Sequence, residues 1–145
     1  MKLGQSLPAP ATDLGLLVAR VLVGTVLIAH GWQKFATYTL DGTAQSFEAM
    51  GVPAAQAAAT FAALVELAGG ALLVLGLLTP VAAALVVVDM IGAFWFAHRG
   101  AGVFVDQGGW ELVAVVSAIA IALAVAGPGR ASIDHAIGGR TRAEA

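Results

Sequence analysis

Seven side chains in this sequence are of the kinds that do chemistry, and most stand where an apolar chain has no ordinary use for them. Glu66 lies deep inside Leu64–Pro80, LVELAGGALLVLGLLTP, and Asp89 sits near the middle of the next apolar run. Arg20 interrupts the first one. A carboxylate that deep in an apolar run needs a partner or a task. Arg20 is the natural counter-ion, so Arg20, Glu66 and Asp89 are expected to form one buried polar cluster. Two acids against one arginine leave a surplus acid, neutralised by a proton or by proximity to His30. A surplus buried acid is a pointer to proton handling. His30 reads as an interfacial hydrogen-bonder, or as a contact to a quinone carbonyl or a proton relay. Trp95, His98 and Glu111 are candidate contacts of the same kind. His98 beside Arg99 also reads as a snorkelling helix end. Glu111 opens a helix, where the dipole favours a carboxylate in any case. The catalytic residues, if there are any, carry no signature.

Other chemistries are excluded or unmarked. The absence of cysteine removes disulfides, thiolate nucleophiles, covalent haem and cysteine-held iron–sulfur clusters from this chain. The three histidines lack metal-ligand spacing, so no metal site is expected. Gly69-Gly70 sits in no nucleotide-binding pattern and reads as close packing. Any redox role therefore needs a diffusible cofactor or a partner subunit. With a net charge of −2 and no basic run, no nucleic acid partner is expected.

The elements that must position these residues are membrane helices. The chain has 145 residues, is 59% hydrophobic and only 11% charged, and has a mean hydropathy of +0.90. Soluble domains are about a quarter charged. The expected fold is all-α and integral to the membrane: a four-transmembrane-helix bundle with a short outer-loop helix. The spans fall at about 14–31, 54–78, 81–97 and 110–126, in one membrane domain covering 1–145. Asp13 or Thr12 caps the first span, a Thr79-Pro80 turn ends the second, and 127–145 is a solvated tail. The loop Phe35–Pro53 is the longest polar segment. Within it Ala44–Met50 is expected to be helical, with Phe47 and Met50 on one face covering the bundle mouth.

Lysine and arginine counts set the orientation. Lys2, Arg130, Arg140 and Arg142 lie toward the terminal side, Lys34 and Arg99 toward the other. The positive-inside rule then puts both termini in the cytoplasm of a bacterial plasma-membrane protein, with Trp32, Tyr38, Trp95 and Trp110 in the outer aromatic belt. At about 1.5 Å per residue, Arg20, Asp89 and Glu66 lie roughly 9, 14 and 18 Å from the inner ends of their helices, within an arginine's reach of one another. Small residues flank them. Ala59, Ala62, Ala63, Gly69 and Gly70 share the Glu66 side, Gly24 and Gly31 the Arg20 side, and Ala114, Ala118 and Ala122 the Glu111 side.

A family resemblance follows from a series of short motifs. They are Ala19–Gly24 (ARVLVG), His30–Phe35 (HGWQKF), Phe47–Pro53 (FEAMGVP), Glu66–Gly70 (ELAGG) with Gly76–Thr79, and Gly109-Trp110-Glu111. In order and spacing the chain resembles the DoxX family of small bacterial membrane proteins over about Leu14 to Ala126. The resemblance implies a four-helix bundle and a link to thiosulfate:quinone oxidoreductases. It also implies sulfurtransferase and superoxide dismutase partners in thiol and oxidative-stress defence. Two functions of different class result. One is a membrane subunit of an oxidoreductase assembly, holding no covalent cofactor and binding a quinone in the outer half near His30, Glu66 and Trp95. The other is a non-enzymatic membrane scaffold or small transporter whose charges are structural. In both the bilayer is a partner.

Overall fold

The computed structural model describes residues 8–143, and its elements run in simple order. Helix α1 spans Ala9–Trp32 and continues through a π-helical turn, Gln33–Thr37, to 29 residues in all. It starts five residues before the expected span, with Pro10 in its first turn, where a missing N–H costs nothing. Asp13 is therefore not its cap. Helix α2, Leu40–Ala49, lies in the polar loop and is capped by the Thr39 hydroxyl, which accepts from the Gly42 amide at 3.2 Å. The next membrane helix has three parts: α3, Ala55–Leu64, a π turn at Val65–Gly69, and α4, Gly70–Leu75. Helix α5, Thr79–Ala93, ends in a third π turn, Phe94–His98. Helix α6 is Glu111–Ala126 and helix α7 is Ile133–Ala143.

Three of these helices, Ala9–Thr37, Ala55–Leu75 and Thr79–His98, are long and apolar enough to cross a membrane. The fourth expected span is the apolar α6, whose 16 residues give about 24 Å against a hydrocarbon core of about 30 Å. The protein is an all-α membrane protein in which α1 packs on α3–α4, α5 packs on α6, and α2 lies across α3 at the end opposite the termini. Val23, Leu27, Leu73, Val86, Val116 and Leu123 form the centre of the core. Leu22, Ile91, Val115 and Ile121 point outward, as lipid-facing positions should.

Close approach of α1 to α3–α4 depends on glycine. A Cβ on Gly24 would lie 2.6 Å from the Gly70 carbonyl oxygen, and one on Gly31 would lie 2.8 Å from the Leu67 Cβ. Gly24, Gly31, Ala59, Ala62, Ala63, Gly69 and Gly70 are all buried. The small residues of α6 behave otherwise: Ala114, Ala118 and Ala122 face outward, and α6 buries Val113, Val116, Ala120 and Leu123. It meets α5 through medium-sized side chains, so the expected small-residue face beside Glu111 is not the packed one.

The turn between α4 and α5 is Gly76–Leu78, and Thr79-Pro80 already belongs to α5. Gly76 takes a left-handed φ of 65°. The Leu77 amide donates to Leu72 O and the Gly76 amide to Leu73 O, the bond pair of a glycine-terminated helix. The tail, expected to be solvated, is docked here. The Arg130 amide donates to the Asp13 carboxylate at 2.9 Å, and the Asp134 amide donates to Gly76 O at 2.9 Å. Lys2 and Glu144 lie outside the described residues.

Candidate functional site

One stripe of α1 organises the polar chemistry. Arg20, Gly24, Leu27, Gly31 and Lys34 recur at alternating spacings of four and three, so they share a face. The two glycines fix its register: Gly24 abuts Gly70 and Val74, and Gly31 abuts Leu67. The helices run antiparallel, so Arg20 falls beside the end of α4 and Lys34 beside Glu66.

Arg20 is fully buried, but it bonds no carboxylate. Its guanidinium donates to Leu73 O at 3.2 Å, Val74 O at 3.4 Å and Ala131 O at 2.5 Å. The expected three-residue cluster is corrected accordingly. Glu66 lies seven to eight residues from the Leu73 and Val74 carbonyls, about 11 Å along the helix. The carbonyls at the end of α4, with their partial negative charge and a lone pair left for a second donor, are nearer acceptors. The acid closest to Arg20 in the electrostatic sense is Asp134. Its carboxylate accepts from the Leu78 amide at 2.8 Å and the Thr79 amide at 2.9 Å, capping α5 from 55 or more residues away. Burial alone would raise the Asp134 pKa. The Thr79 and Leu78 amides, together with the Arg20 charge, outweigh burial and hold it below the ordinary carboxylate value.

Glu66 is paired instead with Lys34, Nζ to Oε2 at 2.5 Å, and is only 6% exposed. Both stand on π turns. This pair opens on a cavity of about 430 Å³ in the half of the bundle away from the termini. Val26, Leu27, Phe61, Met90, Phe96 and Val113 make much of its wall, and Phe47 and Met50 of the loop segment cover it. Its polar lining is confined to His30, Lys34, Glu66, Asp89 and His98. Asp89 is 9% exposed and senses the charges of both Glu66 and Lys34. Among the described residues neither the Asp89 carboxyl nor the His30 imidazole has a side-chain hydrogen-bond partner. The cavity thus offers an ion pair, an unengaged carboxyl and an unengaged imidazole on otherwise apolar walls. His98 lines it too, with Nδ1 2.7 Å from Gly108 O. A carbonyl can only accept, so Nδ1 donates.

Two expected contacts lie elsewhere. Trp95 is 54% exposed and does not line the cavity; the Arg99 guanidinium stacks on its ring at 4.6 Å. Glu111 accepts the Val105 amide at 2.8 Å and pins the glycine-rich loop onto α6. Lys34 is the residue that sequence reasoning missed. Its signal was present, because the face that carries Gly24 and Gly31 reaches Lys34 one turn later. Among the described residues no group of three or more histidines and acids is placed to hold a metal ion.

Comparison with known proteins gives the same class. The DoxX family model matches residues 15–99. An uncharacterized membrane protein of Mycobacterium tuberculosis is 34% identical, over 88% of this chain and 84% of its own. The inner membrane protein YqjF of Escherichia coli is 35% identical over 85% of this chain and 92% of its own. An uncharacterized protein of Haemophilus influenzae is 30% identical over 83% and 88%. No solved structure matches.

Proposed function

The chain belongs to the DoxX family of membrane proteins, and from that premise we propose that it is a membrane subunit of an oxidoreductase assembly that binds a quinone in the cavity lined by His30, Lys34, Glu66 and Asp89. One observation carries the reading. Two polar side chains without hydrogen-bond partners among the described residues, His30 and Asp89, and the Lys34–Glu66 pair converge on one largely apolar cavity of about 430 Å³. That volume is in the range of small-molecule sites, and a few convergent polar groups on apolar walls are what fixes a ligand's orientation. A purely structural pair would need neither the space nor the unengaged groups.

A bound quinone supplies two-electron, two-proton carrier chemistry, which this cysteine-free chain lacks. The chain's own contribution is positional. Lys34, tethered by Glu66, presents an ammonium donor at the wall of the cavity. His30 and Asp89 can each give or accept a proton at a ligand oxygen. Phe47 and Met50 keep bulk water from the loop end. The electrons come from a partner of thiol or oxidative-stress chemistry, which the family link favours. With both termini cytoplasmic, as the Lys/Arg bias favours, the cavity lies in the outer half of the membrane.

The test is extraction of the purified protein for quinone. The expected result is co-purified quinone that falls in His30→Ala and Asp89→Asn variants of unchanged thermal stability. A protein free of quinone that binds none when reconstituted with it sinks the proposal, and leaves the scaffold or transporter reading standing.

A further inference from the structure

Gly92 stands inside α5 where no neighbouring group presses on the position a Cβ would take. Glycine in a helix interior costs about 0.5–1 kcal/mol relative to alanine, so it calls for a reason. At Gly24, Gly31 and Gly70 the reason is a neighbouring backbone that leaves no room for a Cβ. At Gly92 a Cβ would meet no atom within 4 Å, yet the residue lines the cavity. What its missing side chain leaves is space.

That space lies between two helices. Val88, Gly92 and Phe96, four apart, form one edge of the Thr79–His98 helix. Ala58, Phe61 and Ala62 form the facing edge of α3. All six line the cavity. Three of them also face outward: Val88 is 57% exposed, Phe61 40% and Phe96 36%. A side chain that lines the cavity and is also exposed on the apolar belt marks an opening to lipid. The π turn Val65–Gly69 is where the second membrane helix packs on α5; beyond it α3 lies mainly against α2. A π turn inserts an extra residue and re-aims the helix beyond it, and such turns recur at functional sites.

We infer that the cavity is filled sideways from the lipid phase, through the opening between α3 and α5 that Gly92 keeps clear. Its ligand is therefore a membrane-dissolved amphiphile, whose hydrogen-bonding headgroup reaches the Lys34–Glu66 pair and Asp89 while its hydrocarbon tail stays in the opening. This rests on the reading of the cavity as a ligand site, and not on any redox step. A soluble ligand would need no tail channel and would enter past Phe47 and Met50.

The experiment uses the full chain in nanodiscs and an isoprenoid-tailed benzoquinone carrying a photoreactive diazirine at the end of its tail. Labelling is expected at Phe61, Val88 or Phe96. It should be lost in Gly92→Leu, which plugs the opening where there is room for the side chain, and kept in Gly15→Leu, a control glycine of α1 whose Cβ also meets nothing within 4 Å. Both variants should melt no lower than the parent. Labelling at Phe47 or Met50, no labelling, or labelling undiminished in Gly92→Leu overturns lateral entry. Quinone retained after purification is read separately. Retention with labelling at Phe47 therefore refutes this inference alone. Labelling at Phe61 by a diazirine-tailed phospholipid, with no quinone retained, refutes the quinone alone.

Discussion

Removing the Asp134 carboxylate should loosen the end of the bundle that carries the termini. Asp134→Ala deletes the acceptor of two amide bonds, 2.8 Å from Leu78 and 2.9 Å from Thr79. Leu78 has a left-handed φ of 50° and supplies no side-chain cap of its own. Loss of a capping carboxylate costs about 1 kcal/mol and up to about 2. Arg20 keeps its three carbonyl acceptors but loses its nearest acid, a term of up to about 1 kcal/mol because the Asp134 carboxylate is only half-buried and solvent screens it. The expected loss is therefore about 1–3 kcal/mol, read as a drop of several degrees in the thermal midpoint in detergent or nanodiscs. Asp134→Asn keeps one oxygen acceptor without the charge and should lose about half as much.

The pH dependence has a definite sign. The folded-state pKa of Asp134 lies below its ordinary value. Its contribution is therefore complete above the unfolded pKa of about 3.9 and is lost as pH falls through the folded pKa. The parent should lose its advantage over Asp134→Asn only under acid conditions, and the difference should be flat from about pH 5 upward. Amide exchange at Leu78 and Thr79 reports the cap directly and should quicken in Asp134→Ala. A variant that melts like the parent, with unchanged exchange at those two amides, would refute the docking of the tail.

Lys34→Met strands Glu66 as a buried unpaired charge, so it should cost about 3–5 kcal/mol, while Lys34→Met with Glu66→Gln should be milder; equal melting of the two variants would show the pair to be solvated. Gly76→Ala should be more destabilising than the roughly 1–2 kcal/mol of a left-handed alanine, because its Cβ falls on Arg20 Nη1, and a thermal melt reads this. Gly31→Val should separate α1 from the second membrane helix, since its Cβ would meet Leu67; loss of a cysteine crosslink engineered between the two helices would report it. Reporter fusions after Lys34 and after Ala145 test the orientation, with the C-terminal fusion expected in the cytoplasm.

What could be read from the residues was the spacing along each helix, and what could not was the space between helices. The small-residue faces of α1 and α3–α4 were legible because close packing leaves its mark on residue type. Counting depth from helix ends then put Arg20 within reach of Glu66. The glycine contacts set a different register, with the end of α4 opposite Arg20 and Glu66 opposite Lys34. The stripe from Arg20 to Lys34 held this information, but its meaning depended on where the partner helix crosses. Asp134 was out of reach of any local pattern, since it caps a helix 55 residues earlier in the chain. The π turns have no residue signature either: VELAG and FWFAH read as ordinary helix. Gly92 is the sharpest case. It and Gly24 are the same letter in similar apolar helices, yet one glycine admits a neighbouring backbone and the other borders an opening. Sequence can mark a residue as small, but only the surrounding helices decide whether smallness closes a contact or leaves a passage.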